Sequence, residues 1–297
     1  MGVRLIGVPL WYGCNNPGTE KAYECFKEAG IRDLCESLGH SVSGEVVVPV
    51  PEDKDERFDP TMDYLNGTVA ACRGLEQAVC DAIAAKDFPL ILGGDHALGI
   101  GSIAGINHHI PKEDLTVIWV DAHTDINTNE TSDSRHIHGM PLAACLGLGS
   151  RKLIDGFGKD TVKLLPENLF YLGARSIDDG EKEIIREKNI RCFTMDEVRE
   201  KGIEAAVKEL LSLVKTSYVH LSFDVDFMDG EEYTATGLPV PDGPSIQDTE
   251  KCLAMFFDSG KICSMDFVEY SPKNDGKREG LAVCMNLLKT CLSRIEK

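Results

Sequence analysis

The chain has 297 residues, with 31 Lys and Arg against 49 Asp and Glu, for a formal net charge of −18. That balance speaks against nucleic acid or an anionic membrane as partner, because both would be repelled. It suits a metal ion or a small cation, although acidity also serves solubility by itself.

The predicted elements alternate along the chain. Apolar runs of strand length occur at Val3–Val8, Glu45–Val50, Pro89–Leu92, Leu115–Val120, Leu169–Leu172, Ile190–Thr194, Tyr218–Phe223 and Ile262–Val268. Most are too continuous in apolar character for a sheet with one wet face. Helical patterns lie between them, at Lys21–Leu38 with an interruption near Gly30, Met62–Ala85, Leu98–His108, Gly180–Lys188, Glu204–Val214, Ile246–Phe257 and Glu279–Arg294. This alternation predicts an α/β fold with a parallel sheet covered on both faces. A chain of this length can bury a large core in one α/β unit, and no polar linker divides it, so residues 1–297 are expected to form one domain.

The eleven cysteines are scattered, with no Cys-x-x-Cys pair and no disulfide framework, which predicts reduced thiols and a cytoplasmic location. The amino terminus enters a strand at once without the marks of a signal peptide, and no stretch reaches membrane-spanning length.

Three polar clusters follow apolar runs: Gly93-Gly94-Asp95-His96, Asp121-Ala122-His123-Thr124-Asp125 and Asp224-Val225-Asp226. Open α/β sheets place their sites at the carboxyl ends of strands. Alternation along an extended segment puts Asp121, His123 and Asp125 on one side, and Asp224 with Asp226 likewise. With His96 these make six oxygen and nitrogen ligands, suited to Mn²⁺, Fe²⁺, Co²⁺ or Zn²⁺. Six are too many for one tetrahedral ion and enough for two with bridging carboxylates, whose shared solvent ionises near neutral pH and serves as a nucleophile. A lone Asp-x-Asp is as readily a turn or helix cap, and Gly-Gly-Asp-His a tight turn before a helix. Three such clusters in one crevice would repel one another without cations, which favours metal. His138, at the end of the polar loop 127–138, is a candidate proton carrier or a packed loop histidine. His40 and His220 read as structural, and His108-His109 as a solvated helix end.

These clusters, together with Gly18-Thr19-Glu20-Lys21 and Asp266-Phe267-Val268-Glu269-Tyr270, resemble the ureohydrolase family, most of all its arginase branch, over nearly the whole chain. The resemblance implies a three-layer α/β/α fold with a central eight-stranded parallel sheet and two Mn²⁺ ions. One ion would be held by His96, Asp121, Asp125 and Asp224, the other by His123, Asp121, Asp224 and Asp226, with Asp121 and Asp224 bridging. It implies hydrolysis of L-arginine to L-ornithine and urea by a metal-bridging hydroxide. Asp125 would accept a hydrogen bond from the nucleophile, Glu269 would hold the guanidinium, and His138 would transfer a proton. Asn127 and Ser134 match groups that hold the substrate α-carboxylate, and Asp178 the group that meets its α-amine. A homo-oligomer, trimer or hexamer, is implied by analogy.

The sequence departs from the arginase pattern near the substrate. Ser134-Arg135-His136-Ile137-His138-Gly139 stands for the usual Ser-Gly-Asn-x-His-Gly, so a bulky cation replaces a permissive glycine. Phe227-Met228-Asp229-Gly230 replaces Gly-Leu-Asp-Pro, Leu238 replaces Thr, and Ala22-Tyr23 replaces Gly-Pro. Arg135 could block the amino-acid end or recognise a longer anionic one. Two alternatives therefore stand beside arginine hydrolysis: an amidinohydrolase for agmatine or a guanidino acid, and a non-catalytic metal-binding protein of the same fold.

Overall fold

Strands joined by helical crossovers cannot pair as hairpins; the crossover returns the chain to the same end of the sheet, so neighbours run parallel. The computed structural model, which describes residues 2–54 and 57–295, has this arrangement. Its strands are β1 Val3–Gly7, β2 Val42–Val47, β3 Phe88–Leu92, β4 Leu115–Val120, β5 Leu169–Ala174, β6 Arg191–Thr194, β7 Tyr218–Asp224 and β8 Ile262–Val268. They form one sheet in the order β2-β1-β3-β8-β7-β4-β5-β6, and every pairing is parallel. The expected α/β fold with a central eight-stranded parallel sheet is thus the observed one.

The helices among the described residues are α1 Ala22–Glu28, α2 Ile31–Ser37, α3 Leu65–Ala84, α4 Gly99–Asn107, α5 Pro141–Cys145, α6 Arg151–Ile154, α7 Asp179–Lys188, α8 Met195–Lys201, α9 Ile203–Leu213, α10 Ile246–Asp258 and α11 Glu279–Leu292. One core packs α1, α2 and α8 to α11 against one face of the sheet, through residues such as Phe26, Leu210, Phe256 and Leu287. The other packs α3 to α7 against the opposite face, around Trp119, Leu75 and Ile103. Gly30, in a left-handed conformation, breaks the predicted helix Lys21–Leu38 into α1 and α2 where an interruption was expected.

Two departures have physical causes. The second strand is Val42–Val47 rather than Glu45–Val50, because pairing with β1 starts at Val42 opposite Val3. As the sheet's edge it alternates between partly buried and exposed residues, so its apolar signal is weak. Helices α5, α6 and α8 are too short to show a helical period in sequence. Residues 55 and 56 of the charged loop Pro51–Pro60 lie outside the described residues.

Chain order diverges between β3 and β4, which lie two strands apart with β8 and β7 between them. That switch point creates the crevice at the sheet's carboxyl edge. Register aligns the strand ends there: Leu92 lies opposite Phe267, Asp224 opposite Val268, and Val120 opposite Phe223. Helix α4, which begins just after the β3 turn, approaches α3 through glycines. A Cβ on Gly101 would lie 2.3 Å from the Cys72 carbonyl oxygen. Gly101→Ala should therefore overpack this contact at a cost of about 1–3 kcal/mol. A melting temperature several degrees below that of the parent protein is the expected result, and an unchanged one would refute the close-approach role.

Candidate metal centre and active site

Each polar cluster begins where one of the four central strands stops. After β3, Gly93 and Gly94 take left-handed φ values of 78° and 87°, and a Cβ on Gly94 would meet the Val8 carbonyl oxygen at 2.8 Å. Asp95 then caps a short 3-10 turn, His96–Leu98: its Oδ1 accepts the Ala97 N–H, and its Oδ2 the Gly13 N–H at 2.8 Å. After β4, the His123 N–H donates to Asp121 Oδ1 at 2.6 Å. After β7, the Asp226 N–H donates to Asp224 Oδ1 at 2.7 Å, while Asp226 Oδ1 accepts the Ala122 N–H. After β8, Glu269 donates its N–H to the Gly94 carbonyl and accepts the His96 N–H on Oε1 at 2.9 Å.

Asp125 and Glu269 both sit in the left-handed region, at φ 47° and 64°. For non-glycine residues that conformation costs about 1–2 kcal/mol each, a cost borne by surrounding contacts. Here it lets each carboxylate turn back toward the crevice instead of continuing the strand's alternation.

The side chains converge tightly. His96 Nδ1 lies 2.9 Å from Asp121 Oδ2, 3.2 Å from Asp125 Oδ2 and 3.3 Å from Asp224 Oδ2. His123 Nδ1 lies 3.0 Å from Asp226 Oδ2 and 3.5 Å from Asp121 Oδ1. His96, Asp121 and Asp224 can offer one donor atom each within 4.8 Å of one another, as can Asp121, His123 and Asp226. His96 Nδ1 and Asp121 Oδ2 are buried, and neither has a partner in hydrogen-bond geometry despite their separation. Buried donor atoms aimed at a common point, all imidazole nitrogen or carboxylate oxygen, fit a divalent cation of borderline hardness.

Electrostatics lead to the same place. Burial alone would lower His96 and His123, yet the carboxylates around them raise both imidazoles well above their ordinary value. Burial and the neighbouring Asp121 push Asp125 up to about 7. Burial and the Asp226 and Asp121 charges raise Asp224 strongly, and burial with Asp121 raises Asp226. Asp121 goes the other way: burial pushes it up, but the close approach of the His123 and His96 imidazoles outweighs that and lowers it. Without metal, protons occupy the positive role in this cluster.

His138 closes the cavity. Its Nδ1 lies 3.1 Å from Glu269 Oε1, and that contact raises the imidazole against the effect of burial. The cavity is lined by His123, Asp125, His138, Asp224, Asp226, Thr236, Leu238 and Glu269. Thr236 was not singled out from sequence. It is buried with an unpartnered hydroxyl and is bridged antiparallel to Tyr270, a placement only the folded loop 235–239 creates.

The residues matched to the amino-acid end lie elsewhere. Asn127 donates through Nδ2 to Asp178 Oδ2 at 2.9 Å, and Asp178 caps α7 in a reciprocal arrangement with Glu181. Ser134 is exposed and bonds within its own loop, where its Oγ accepts the His136 N–H at 3.2 Å. Among the described residues, none of the three lines the cavity. His40 donates through Nε2 to the Leu292 carbonyl, His220 is buried in the sheet, and His108 meets Glu76 at the end of α4.

A sequence model described as the Arginase family matches residues 1–293. The chain belongs to the arginase family. It is 35% identical over 293 residues to the arginase of Bacillus subtilis (strain 168), covering 98% of each chain, and 36% identical over 290 residues to that of Bacillus caldovelox, covering 96% of each. The native structure of Bacillus caldovelox arginase at pH 5.6 superimposes with a TM-score of 0.93 at 34% identity, over 100% of this chain and 99% of that one. Entamoeba histolytica arginase in complex with L-ornithine gives 0.88 at 30%, over 98% and 97%. Formimidoylglutamase from Bacillus subtilis, at 21% identity, shares the fold with a TM-score of 0.77 over 99% and 87%. Membership makes the protein a hydrolase of the guanidino class in a metal-dependent family.

Within this family the Arg135 substitution has a defined setting. Arg135 adopts φ 63°, the conformation a glycine would favour, and its guanidinium lies 3.0 Å from Oδ1 of the buried Asp63. Asp63 donates its N–H to the Arg135 carbonyl at 3.1 Å, so the loops are joined twice. A guanidinium committed to Asp63 argues against recognition of a longer anionic substrate by Arg135.

Two outcomes follow for stability. Metal-free, Asp125 and Asp95 have carboxyls raised from an ordinary 3.8 to about 7, Asp95 by burial and the Glu269 charge. A raised carboxyl stabilises the fold below its unfolded value, and that contribution is lost as pH climbs through the folded value; the raised His96 and His123 act in the same sense. Asp121, shifted downward, loses its contribution only in strong acid. The melting temperature of chelator-treated protein should thus fall from about pH 5 to about pH 8, while added divalent metal, which competes with protons, raises it most at the alkaline end. A flat or rising metal-free profile would contradict this picture. Arg135→Gly relieves backbone strain but leaves Asp63 buried without its cation, for a net loss of about 1–3 kcal/mol after solvent screening of the partly exposed guanidinium. Thermal unfolding should recover in the double variant with Asp63→Asn, and additive losses would argue against the coupling.

Proposed function

We propose that the protein hydrolyses the guanidinium group of L-arginine to L-ornithine and urea with two Mn²⁺ ions. One observation carries this reading: two overlapping His/Asp groups, each able to converge on a cation, face the His138–Glu269 pair across one cavity. His96, Asp121, Asp125 and Asp224 would hold one ion and His123, Asp121, Asp224 and Asp226 the other. When bound, such ions acidify water to ionise near neutral pH and offset charge that develops at the reacting carbon.

The chain's own residues supply the remainder. Glu269, held by the His96 N–H and His138, presents carboxylate oxygen to the guanidinium N–H donors. Asp125 accepts the hydrogen bond of the attacking water and orients it toward the guanidinium carbon. His138 has Nδ1 engaged with Glu269, which leaves Nε2 to deliver a proton to the departing amine of ornithine. At the amino-acid end, the α-carboxylate and α-amine of arginine replace the bond between Asn127 and Asp178, with Ser134 adding a hydroxyl donor.

The same reading places the protein in the cytoplasm as a homo-oligomer, trimer or hexamer, by analogy with its family. Its eleven free cysteines suit a reducing compartment, and among the described residues no helix is long and apolar enough to cross a membrane.

Urea release from the Mn²⁺-supplemented protein, with L-arginine and agmatine assayed side by side, should favour L-arginine. Faster turnover of agmatine would replace the arginine reading with its amidinohydrolase rival, and inactivity on both with metal bound would favour a non-catalytic role. Asp224→Ala should lose both bound metal and urea release, whereas His138→Ala should slow turnover by about 10²–10⁴-fold with metal content intact. Wild-type turnover in His138→Ala would remove that residue from proton transfer.

A further inference from the structure

The charge balance of this protein reverses at one place on its surface. The chain carries 49 acidic against 31 basic residues, yet a pocket of about 470 Å³ between α3 and α6 is lined by Arg73, Arg151 and Lys152, with Asp155 as the one carboxylate among its lining residues. One side of it is a single face of α3, where Leu65, Val69 and Arg73 stand four residues apart and so lie in one row. Phe58 borders it from the loop before α3, with 56% of its surface exposed, the most of any large apolar side chain among the described residues. None of these residues lines the metal crevice.

The three cations are not equally engaged. Lys152 donates to the buried Asp59 at 2.6 Å and holds its ammonium 5.7 Å from the centre of the Phe58 ring, so it fixes the loop that carries that ring. Arg151 pairs with Asp155 at 2.7 Å, but both side chains are exposed, and such pairs contribute little. Arg73 is different. Glu76, one helical turn on, is taken by His108 at 2.7 Å and by the Gly158 N–H at 2.8 Å, and among the described residues no carboxylate pairs with the Arg73 guanidinium. That group lies instead over the Phe157 ring, 5.8 Å from its centre, and beside Gly156, where a Cβ would come within 2.6 Å of Nη2. A seated guanidinium with uncommitted N–H donors suits a carboxylate, which it can meet through two parallel bonds.

We propose that this pocket binds a small organic anion, a carboxylate carried on an aromatic body. The carboxylate meets Arg73, with Arg151 in support, and the body packs against Phe58 and Val69. The volume falls in the range of small-molecule sites, about 300–1,000 Å³, and such sites combine an apolar lining with a few placed polar groups. Local positive charge on an otherwise acidic surface draws anions to this spot and not to the rest of the chain. The site stands apart from the two-ion reading, since it shares no lining residue with the crevice.

The test uses the full chain supplemented with Mn²⁺ and fluorine NMR. The probe is para-fluorobenzoate, with its neutral amide as a body without charge and fluoroacetate as a charge without a body. Wild type should broaden and shift the benzoate resonance saturably, and should bind the amide and fluoroacetate more weakly. Arg73→Gln should weaken benzoate binding by about 10-fold or more, the loss of one charge-assisted bond, and Phe58→Ala by about 3–10-fold, the loss of an aromatic contact. Absence of saturable binding by wild type overturns the proposal, as does equal affinity for the amide. Benzoate affinity unmoved in both variants places the probe elsewhere, the metal crevice included, and overturns it too. Loss in Arg73→Gln alone marks a bare counter-ion contact and loss in Phe58→Ala alone a bare apolar one, and either result overturns the site as stated. Both side chains are exposed, so the fold should survive each change. Should Arg73→Gln fail to fold, as judged by circular dichroism and melting, the comparison of benzoate with its amide on wild type and on Phe58→Ala decides, because it removes the charge from the ligand instead.

Discussion

Crowding of carboxylates is the constraint on which the rest of this structure depends. Asp121, Asp125, Asp224 and Asp226 share one buried crevice, where their mutual repulsion is screened little by solvent. Backbone N–H groups of Ala122, His123 and Asp226 take some of their oxygens, and two imidazoles face the others. What remains is a set of donor atoms without partners of their own, the condition a cation resolves. The parallel sheet makes such crowding possible, because it alone brings the carboxyl ends of four strands side by side.

Support for the site is distributed over parts of the chain far apart in sequence. Glu269 links the β8 end to the β3 end through Gly94 and His96, and to the β4 loop through His138. Glu181 of α7 accepts the Ile126 N–H and completes the cap at Asp178, so it ties the loop after β4 to the start of α7. Arg175, after β5, donates to the carbonyls of Asp226, Phe227, Met228, Val240 and Pro241. This one guanidinium therefore organises the segment after β7, where the sequence departs from the usual arginase pattern. The departures leave the His and Asp groups that could hold a cation in place and alter what surrounds them.

The Arg135 substitution illustrates how a local rule can be broken and offset. A left-handed position normally taken by glycine holds a long cationic side chain, and the strain is met by an ion pair and a backbone hydrogen bond to Asp63. Neither partner suggests the other in sequence, since 72 residues separate them. The loop's conformation is thus held by tertiary contact instead of by local preference.

Much of the architecture was legible beforehand, and for a clear reason. Strands buried on both faces are largely apolar, so β3, β4 and β5 announce themselves, and polar clusters placed just after β3, β4 and β7 mark the crevice edge. The bounds of edge strand β2 and the short helices α5, α6 and α8 were not legible, because a one-sided or single-turn element leaves little periodic signal. By itself the sequence determined the strand count, the parallel connection and the identity of the groups able to bind cations. Strand order, the left-handed turns at Asp125 and Glu269 and the Arg135–Asp63 pair were decided only by tertiary structure. Each of these depends on which residues lie opposite one another across the sheet or a loop, and that juxtaposition comes from packing the whole chain and not from any local pattern.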